Sequence, residues 1–207
     1  MGKPQLVVFD CDGVMFDSRR ANEVYYNQLL AHFGRPPMSR EELDFVHIHH
    51  VGAAVAHIFR HYPGEAAAAD QHRRTLDYRP FLAELVMAPD LPAFLAAIRP
   101  PARTAISTNR TSTMAAILEE FGLAGSFDLV VTAQDVARPK PHPEALERIL
   151  AHFDLRSEQG LFIGDSIIDQ EHAAAAGMPL VAYRNPALQA DFHVSSFMEI
   201  LGLPVFG

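Results

Sequence analysis

Lysine is almost absent from this chain: Lys3 and Lys140 are the two lysines among 17 basic residues. Cysteine is rarer still. Cys11 stands alone, which excludes an internal disulfide framework and a cysteine-rich zinc site. Positive charge is in deficit overall, since 25 acids against 17 bases give −8 at pH 7. That balance is a poor match for nucleic acid or an anionic membrane surface. No apolar run nears the roughly 18 residues that cross a bilayer. The opening Met1-Gly2-Lys3-Pro4 and the short apolar run behind it do not have the pattern of a signal peptide. These absences predict a soluble, cytoplasmic protein with neither a nucleic-acid nor a membrane partner.

What is present is material for a core. Hydrophobic residues make up 49% of the chain and charged ones 20%, a composition that packs rather than stays disordered. At about 150 residues per domain, 207 residues predict one large domain or one domain with an insertion. Gln5-Leu6-Val7-Val8-Phe9 is a continuous apolar run stopping at Asp10, the pattern of a strand buried on both faces of a parallel sheet. Similar runs end at Thr108, in the loop after Thr132, at Gly164-Asp165 and at Tyr183. Between them the apolar spacing turns helical, as at Met114, Ile117, Leu118 and Phe121, and again at Leu146, Ile149, Leu150 and Phe153. Alternating strand and helix predict a doubly wound α/β core with five strands.

Residues 18–88 break that rhythm. Tyr26, Leu29, Leu30 and Phe33 predict one amphipathic helix, ended by Gly34 and Pro36-Pro37. Val51, Val55, Ile58 and Tyr62 predict a second, and alanine-rich residues 65–78 a third that Pro80 kinks or restarts. The expected organisation is an α/β core of residues 1–17 and 89–207 carrying a helical lid of residues 18–88.

Ligands of open parallel sheets bind beyond the carboxyl ends of the strands. Asp10 with Asp12, Thr108 with Asn109, Lys140, and Asp165 with Asp169 all fall there. Gly13 follows in a turn whose backbone N–H groups are expected to receive an anion. Four carboxylates against one ammonium leave a net −3, and like charges so close disfavour ionisation unless a cation joins them. An all-oxygen set suits Mg²⁺, which brings the site to about −1 and lets a phosphate approach. Carboxylates beside a metal with a hydroxyl-and-lysine clamp describe phosphoryl transfer through an aspartyl-phosphate.

Asp10-Cys11-Asp12-Gly13-Val14-Met15-Phe16-Asp17-Ser18 resembles the first motif of the haloacid dehalogenase superfamily. Ile106-Ser107-Thr108-Asn109 is similar to its second motif and Arg138-Pro139-Lys140-Pro141-His142-Pro143 to its third. Gly164-Asp165-Ser166-Ile167-Ile168-Asp169, followed by Ala173-Ala174-Ala175-Ala176-Gly177, is similar to its fourth. The order and spacing run along nearly the whole chain. The resemblance is to the phosphoglycolate-phosphatase-like branch, and it implies a Rossmann-like core with an all-helical cap inserted after the first motif. It implies Asp10 as nucleophile and Asp12 as acid and base. It assigns Gly13, Thr108, Asn109 and Lys140 to the phosphoryl group. Mg²⁺ would be held by Asp10, the Asp12 carbonyl and Asp165, with Asp169 orienting that shell. The implied partner is a small phosphorylated metabolite.

Relatives that cleave phosphonates or move phosphate within a sugar use a cap lysine, and residues 18–88 contain none. A sugar-phosphate mutase and a non-catalytic ligand-binding member remain the alternatives to a Mg²⁺-dependent phosphatase. The histidines His47, His49 and His50, with His57 and His61 beyond, allow a zinc site or simply a helix face. The family's cap places substrate-facing residues at this point, which makes His49 and His50 candidates for substrate selection.

Overall fold

A computed structural model describes residues 2–207 and divides the chain into two compact units, Met1–Phe16 with Met87–Gly207, and Asp17–Val86. The strands in chain order are β1 (Leu6–Phe9), β2 (Phe16–Asp17), β3 (Val86–Met87), β4 (Arg103–Ser107), β5 (Leu129–Val131), β6 (Gly160–Gly164), β7 (Leu180–Tyr183) and β8 (Phe192–Val194). Strands β2 and β3 form a separate two-stranded sheet. The other six form one sheet in the order β5-β4-β1-β6-β7-β8, parallel at every junction.

Strand β1 lies at the switch point of this sheet, because the chain winds outward through β4 and β5 on one side and through β6, β7 and β8 on the other. All four of its residues are fully buried. Leu6 and Val8 face a core with Leu146, Ile149 and Phe162. Phe9, pointing the other way, meets Phe94 and Phe197 with ring centroids 6.0 and 5.9 Å away. Each such side chain contributes about 1.5–3 kcal/mol on burial, and burial on both faces is why the run carries no polar alternation.

The sixth strand, β8, lies outside the five that the sequence predicts. It is a three-residue edge strand whose middle residue, His193, is exposed, so no apolar run marks it. Helices α5 (Leu91–Ile98), α6 (Met114–Glu120), α7 (Glu144–Phe153), α8 (Ile167–Ala176) and α9 (Phe197–Ile200) complete this unit. The apolar stripe of α7 is buried at Leu146, Ile149 and Leu150.

The Asp17–Val86 unit holds α1 (Arg19–His32), α2 (Arg40–Ile48), α3 (Val51–Ile58) and α4 (Glu65–Arg73), then a 3₁₀ turn over Arg79–Glu84. The alanine-rich helix ends at Arg73, earlier than the expected 78, and Pro80 starts the 3₁₀ turn. Helix α2 is additional. Its start is a capping box: the Glu42 N–H donates to Ser39 Oγ at 3.2 Å and the Ser39 N–H to Glu42 Oε2 at 2.9 Å. Such a cap stabilises a helix by about 1 kcal/mol. Leu29, Val55, Ile58 and Phe59 lie in this unit's own core. Among the described residues, no helix is long and apolar enough to cross a membrane.

Candidate active site

Parallel register brings three chain segments to one point. Phe9 is level with Ile106 of β4 and Ile163 of β6, so the residues just beyond emerge side by side at the sheet's carboxyl edge. Asp10 is fixed there by its N–H, which donates to the Ile163 carbonyl at 2.9 Å. Lys140 reaches in from the segment between β5 and α7. Its Nζ donates to Asp10 Oδ1 and to Asp169 Oδ1, each at 2.7 Å. The lysine side chain is only 4% exposed. A buried ammonium requires such partners, and here it has two.

Asp169 is itself anchored at the start of α8. Its Oδ2 accepts from Ser166 Oγ at 2.7 Å, and Ser166 Oγ accepts from the Asp169 N–H at 3.2 Å. This capping box sets a fully buried carboxylate against the positive end of a helix. One oxygen from each of Asp10, Asp165 and Asp169 lies within 4.8 Å of the others, close enough to share one ion. Two glycines allow the crowding. A Cβ on Gly164 would stand 2.4 Å from the Asp169 Cβ, and one on Gly13, whose φ is +80°, would stand 2.0 Å from Asp165 Oδ2. Gly13 requires correction as an anion donor: its N–H is already given to the Phe16 carbonyl at 2.7 Å. Its part is to leave room for Asp165.

Thr108 is buried beside this group, and its Oγ1 accepts from the Arg110 N–H at 3.1 Å. It does not cap α6, which begins at Met114 behind Thr113. Asn109 Nδ2 donates to the Lys140 carbonyl at 3.2 Å and so ties the second segment to the third. The buried Asn109 Oδ1 has no protein hydrogen-bond partner.

Burial and the neighbouring Asp169 carboxylate push Asp10 up to about 7, against the opposing pull of Lys140. Burial, with Asp169 and Asp10 adding to it, pushes Asp165 up to about 8. Burial on its own would lower the Lys140 ammonium, but Asp10 and Asp169 raise it above the ordinary lysine range. The donor set therefore fits a hard divalent cation, being all oxygen and holding more negative charge than its own cation offsets.

The sign of the pH dependence follows. An unfolded carboxyl near 3.8 loses its proton well before Asp10 or Asp165 does in the folded chain. Between pH 4 and 8 the folded state thus binds more protons, and metal-free stability contributed by this pair falls as pH rises. A cation binds the ionised form, so its stabilising effect grows over the same range. In thermal unfolding with and without Mg²⁺, the difference should be small at pH 5 and largest at pH 8. At a hundredfold excess over Kd it should reach about 2.7 kcal/mol. A Mg²⁺ effect greater at pH 5 than at pH 8 would remove this group as the metal site.

The family model of haloacid dehalogenase-like hydrolases matches residues 7–183. The chain belongs to that family. Phosphoglycolate phosphatase of Rhodospirillum rubrum is 31% identical over 192 residues, which cover 86% of this chain and 78% of the relative. The Rhodobacter capsulatus phosphoglycolate phosphatase is 29% identical over 215 residues, covering 96% and 94%. Among solved structures, a subfamily IA haloacid dehalogenase-superfamily hydrolase from Geobacter sulfurreducens has a TM-score of 0.80 and 35% identity, covering 100% of this chain and 98% of that one. β-Phosphoglucomutase from Clostridium difficile, at 17% identity and TM-score 0.82 with 95% and 93% covered, shares the fold. The relatives place the chain among the family's phosphatases.

This haloacid dehalogenase-like hydrolase contains two site residues that the sequence reading passed over. Arg110 forks onto Asp12, with Nε 2.8 Å from Oδ2 and Nη2 2.6 Å from Oδ1. Its charge changes the balance: four carboxylates face two cations, so one divalent ion brings the group to neutrality. His172 of α8 is fully buried, with Nε2 3.0 Å from Ser107 Oγ and Nδ1 2.8 Å from the His142 carbonyl. Burial, aided by the Lys140 charge, lowers it to about 3, so it stays neutral. One ring thereby ties the segments bearing Thr108, Lys140 and Asp169.

The candidate specificity residues lie in the Asp17–Val86 unit, where each has a local partner. The His49 ring stacks on Phe45 at 3.8 Å, and His50 Nδ1 accepts from the Ala53 N–H at 3.4 Å as N-cap of α3. The histidines form no metal-sized group among the described residues. His57 instead stacks on Phe45 at 3.8 Å, and His47 Nδ1 lies 3.3 Å from Asn22 Nδ2. Cys11 is buried and its thiol is pushed up by burial, a packing residue rather than a nucleophile.

Proposed function

We propose that the chain is a Mg²⁺-dependent phosphomonoesterase that works through a phosphorylated Asp10. The observation that supports this most is Lys140 bridging Asp10 and Asp169 inside a trio of acids sized for one hard cation. Asp10 attacks phosphorus, and the bond from phosphorus to the leaving oxygen breaks as Asp12 gives that oxygen a proton. Water then attacks the phosphorylated Asp10, Asp12 takes the water's proton, and Asp10 is released. Lys140 and the Thr108 hydroxyl hold the transferring oxygens, while Asn109 and His172 keep their segments in place. Mg²⁺, held by Asp10, the Asp12 carbonyl and Asp165 with Asp169 behind them, would neutralise the phosphoryl charge.

The reading includes a small, water-soluble phosphomonoester as substrate. Phosphoglycolate is the first to test because the two relatives above carry its name. Selection among esters belongs, on this reading, to the helical unit and to His49 and His50. Hydrolysis of a panel of alkyl and aryl phosphates should require Mg²⁺, stop with chelator and release inorganic phosphate. His50→Asn, which retains an N-cap acceptor, should reorder the panel by about tenfold for the preferred ester. Metal-independent turnover, or transfer to a second sugar hydroxyl in place of water, would overturn the phosphatase reading.

A further inference from the structure

Asp12 is gripped by an arginine, and the geometry of that pair is specific. Both carboxylate oxygens are engaged, by Nε at 2.8 Å and Nη2 at 2.6 Å. The Arg110 side chain is 8% exposed and that of Asp12 19%. The arginine is in turn held by its surroundings. Its N–H donates to Thr108 Oγ1 at 3.1 Å, its carbonyl accepts from the Ala133 N–H at 2.9 Å, and Nη1 lies 3.3 Å from Thr113 Oγ1. Thr108, Asn109 and Arg110 are consecutive. One turn therefore carries the hydroxyl proposed for the phosphoryl group and the fork that fixes Asp12.

We propose that Arg110 is the positioning residue of the acid and base step: its fork sets the plane and direction of the Asp12 carboxylate relative to the phosphoryl group held beside Thr108. This rests on the phosphatase reading above. A short carboxylate side chain near solvent has two torsions to fix, and a planar bidentate partner fixes both where a point charge fixes neither. Displacement of an acid and base group by about 1 Å costs about 10²-fold in rate, so the anchoring has a catalytic consequence.

A salt bridge serving stability alone would affect all substrates equally. Arg110→Gln should instead lower kcat/KM about 10²-fold for an alkyl phosphate, whose leaving oxygen needs a proton. For p-nitrophenyl phosphate, whose leaving group needs none, the loss in kcat/KM should stay below about tenfold. Steady-state turnover of the aryl ester should fall more, with a burst of one equivalent of nitrophenolate, because water attack on phosphorylated Asp10 also requires Asp12. Arg110→Lys, which keeps the charge but not the fork, should leave most of the alkyl loss in place. In an Asp12→Asn background, Arg110→Gln should cost nothing further, since the arginine acts through a group already removed. Equal losses on both esters, an absent burst or full additivity with Asp12→Asn would each overturn the proposal. If Arg110→Gln fails to fold, Arg110→Lys and its additivity with Asp12→Asn carry the same decision. Failure of the unaltered enzyme to hydrolyse either ester with Mg²⁺ would instead count against the phosphatase reading itself.

Discussion

Asp10→Asn should abolish turnover of aryl and alkyl phosphates alike, by roughly 10⁴-fold or more, because no later step can proceed without the phosphoryl acceptor. Two accompanying results distinguish a lost nucleophile from a damaged fold. Asparagine is nearly isosteric, and its amide oxygen can still accept from Lys140, which also retains Asp169 at 2.7 Å. One of three mutually repelling acids is gone. Metal-free stability at pH 8 should therefore hold or rise, while Mg²⁺ stabilises the variant less than it stabilises the parent. Rapid quenching of the parent during turnover should place one phosphoryl group on the peptide bearing Asp10, and the variant should show none. Substantial residual hydrolysis by Asp10→Asn, or phosphate on another residue, would require a different acceptor and a different reaction.

The parts of the fold that were easiest to read are those where burial leaves the residue choice little freedom. Strands β1 and β6 are covered on both faces, so they consist of apolar residues and glycine without interruption. Their ends are as clear, since a charged residue directly after such a run has to leave the core. The edge strand β8 has a polar middle residue and three positions in all, and its place depends on pairing with β7 rather than on its own pattern. Helix α2 differs again, because Ser39-Arg40-Glu41-Glu42 carries a readable capping signal that the apolar spacing behind it is too weak to reinforce.

Legibility of the site has the same physical limit. The four acids and Lys140 announce themselves at strand ends and in motifs, whereas Arg110 gains its meaning from an aspartate 98 residues away. Residue type alone does not separate that arginine from the chain's many exposed ones. Its position directly after Thr108-Asn109 is the signal that was available. His172 is a similar case. Its two partners lie 65 and 30 residues off, and only the rotation of α8 about its axis decides that the ring faces inward. Gly13 is the opposite case: a glycine just past a strand end suggests an anion donor, but its amide is used within the turn.

Lys140→Met should produce the largest loss of stability of any single change at the site, together with loss of activity. The lysine side chain is 4% exposed and its two partners are 10% and 1% exposed, so water offers little screening of the acids left behind. Removing one side of a buried ion pair costs about 3–5 kcal/mol. That cost should depend on pH in a defined direction. With the ammonium gone, Asp10 and Asp165 move further above their unfolded values, so they are protonated and tolerated at pH 5 but ionised and repelled at pH 8. Thermal unfolding of the variant should therefore approach that of the parent in acid and fall well below it in alkali, and Mg²⁺ should recover part of the difference by supplying the missing charge. Activity should behave otherwise. At saturating Mg²⁺, where the variant is folded, hydrolysis should remain about 10²–10³-fold down, because the metal cannot stand where Nζ meets the transferring oxygens. Equal stability of parent and variant at pH 8 would mean that the acids need no counter-charge from Lys140. Full recovery of activity by Mg²⁺ would mean that the lysine serves the fold alone. A deficit that the metal corrects in stability but not in rate assigns the one buried lysine to both tasks.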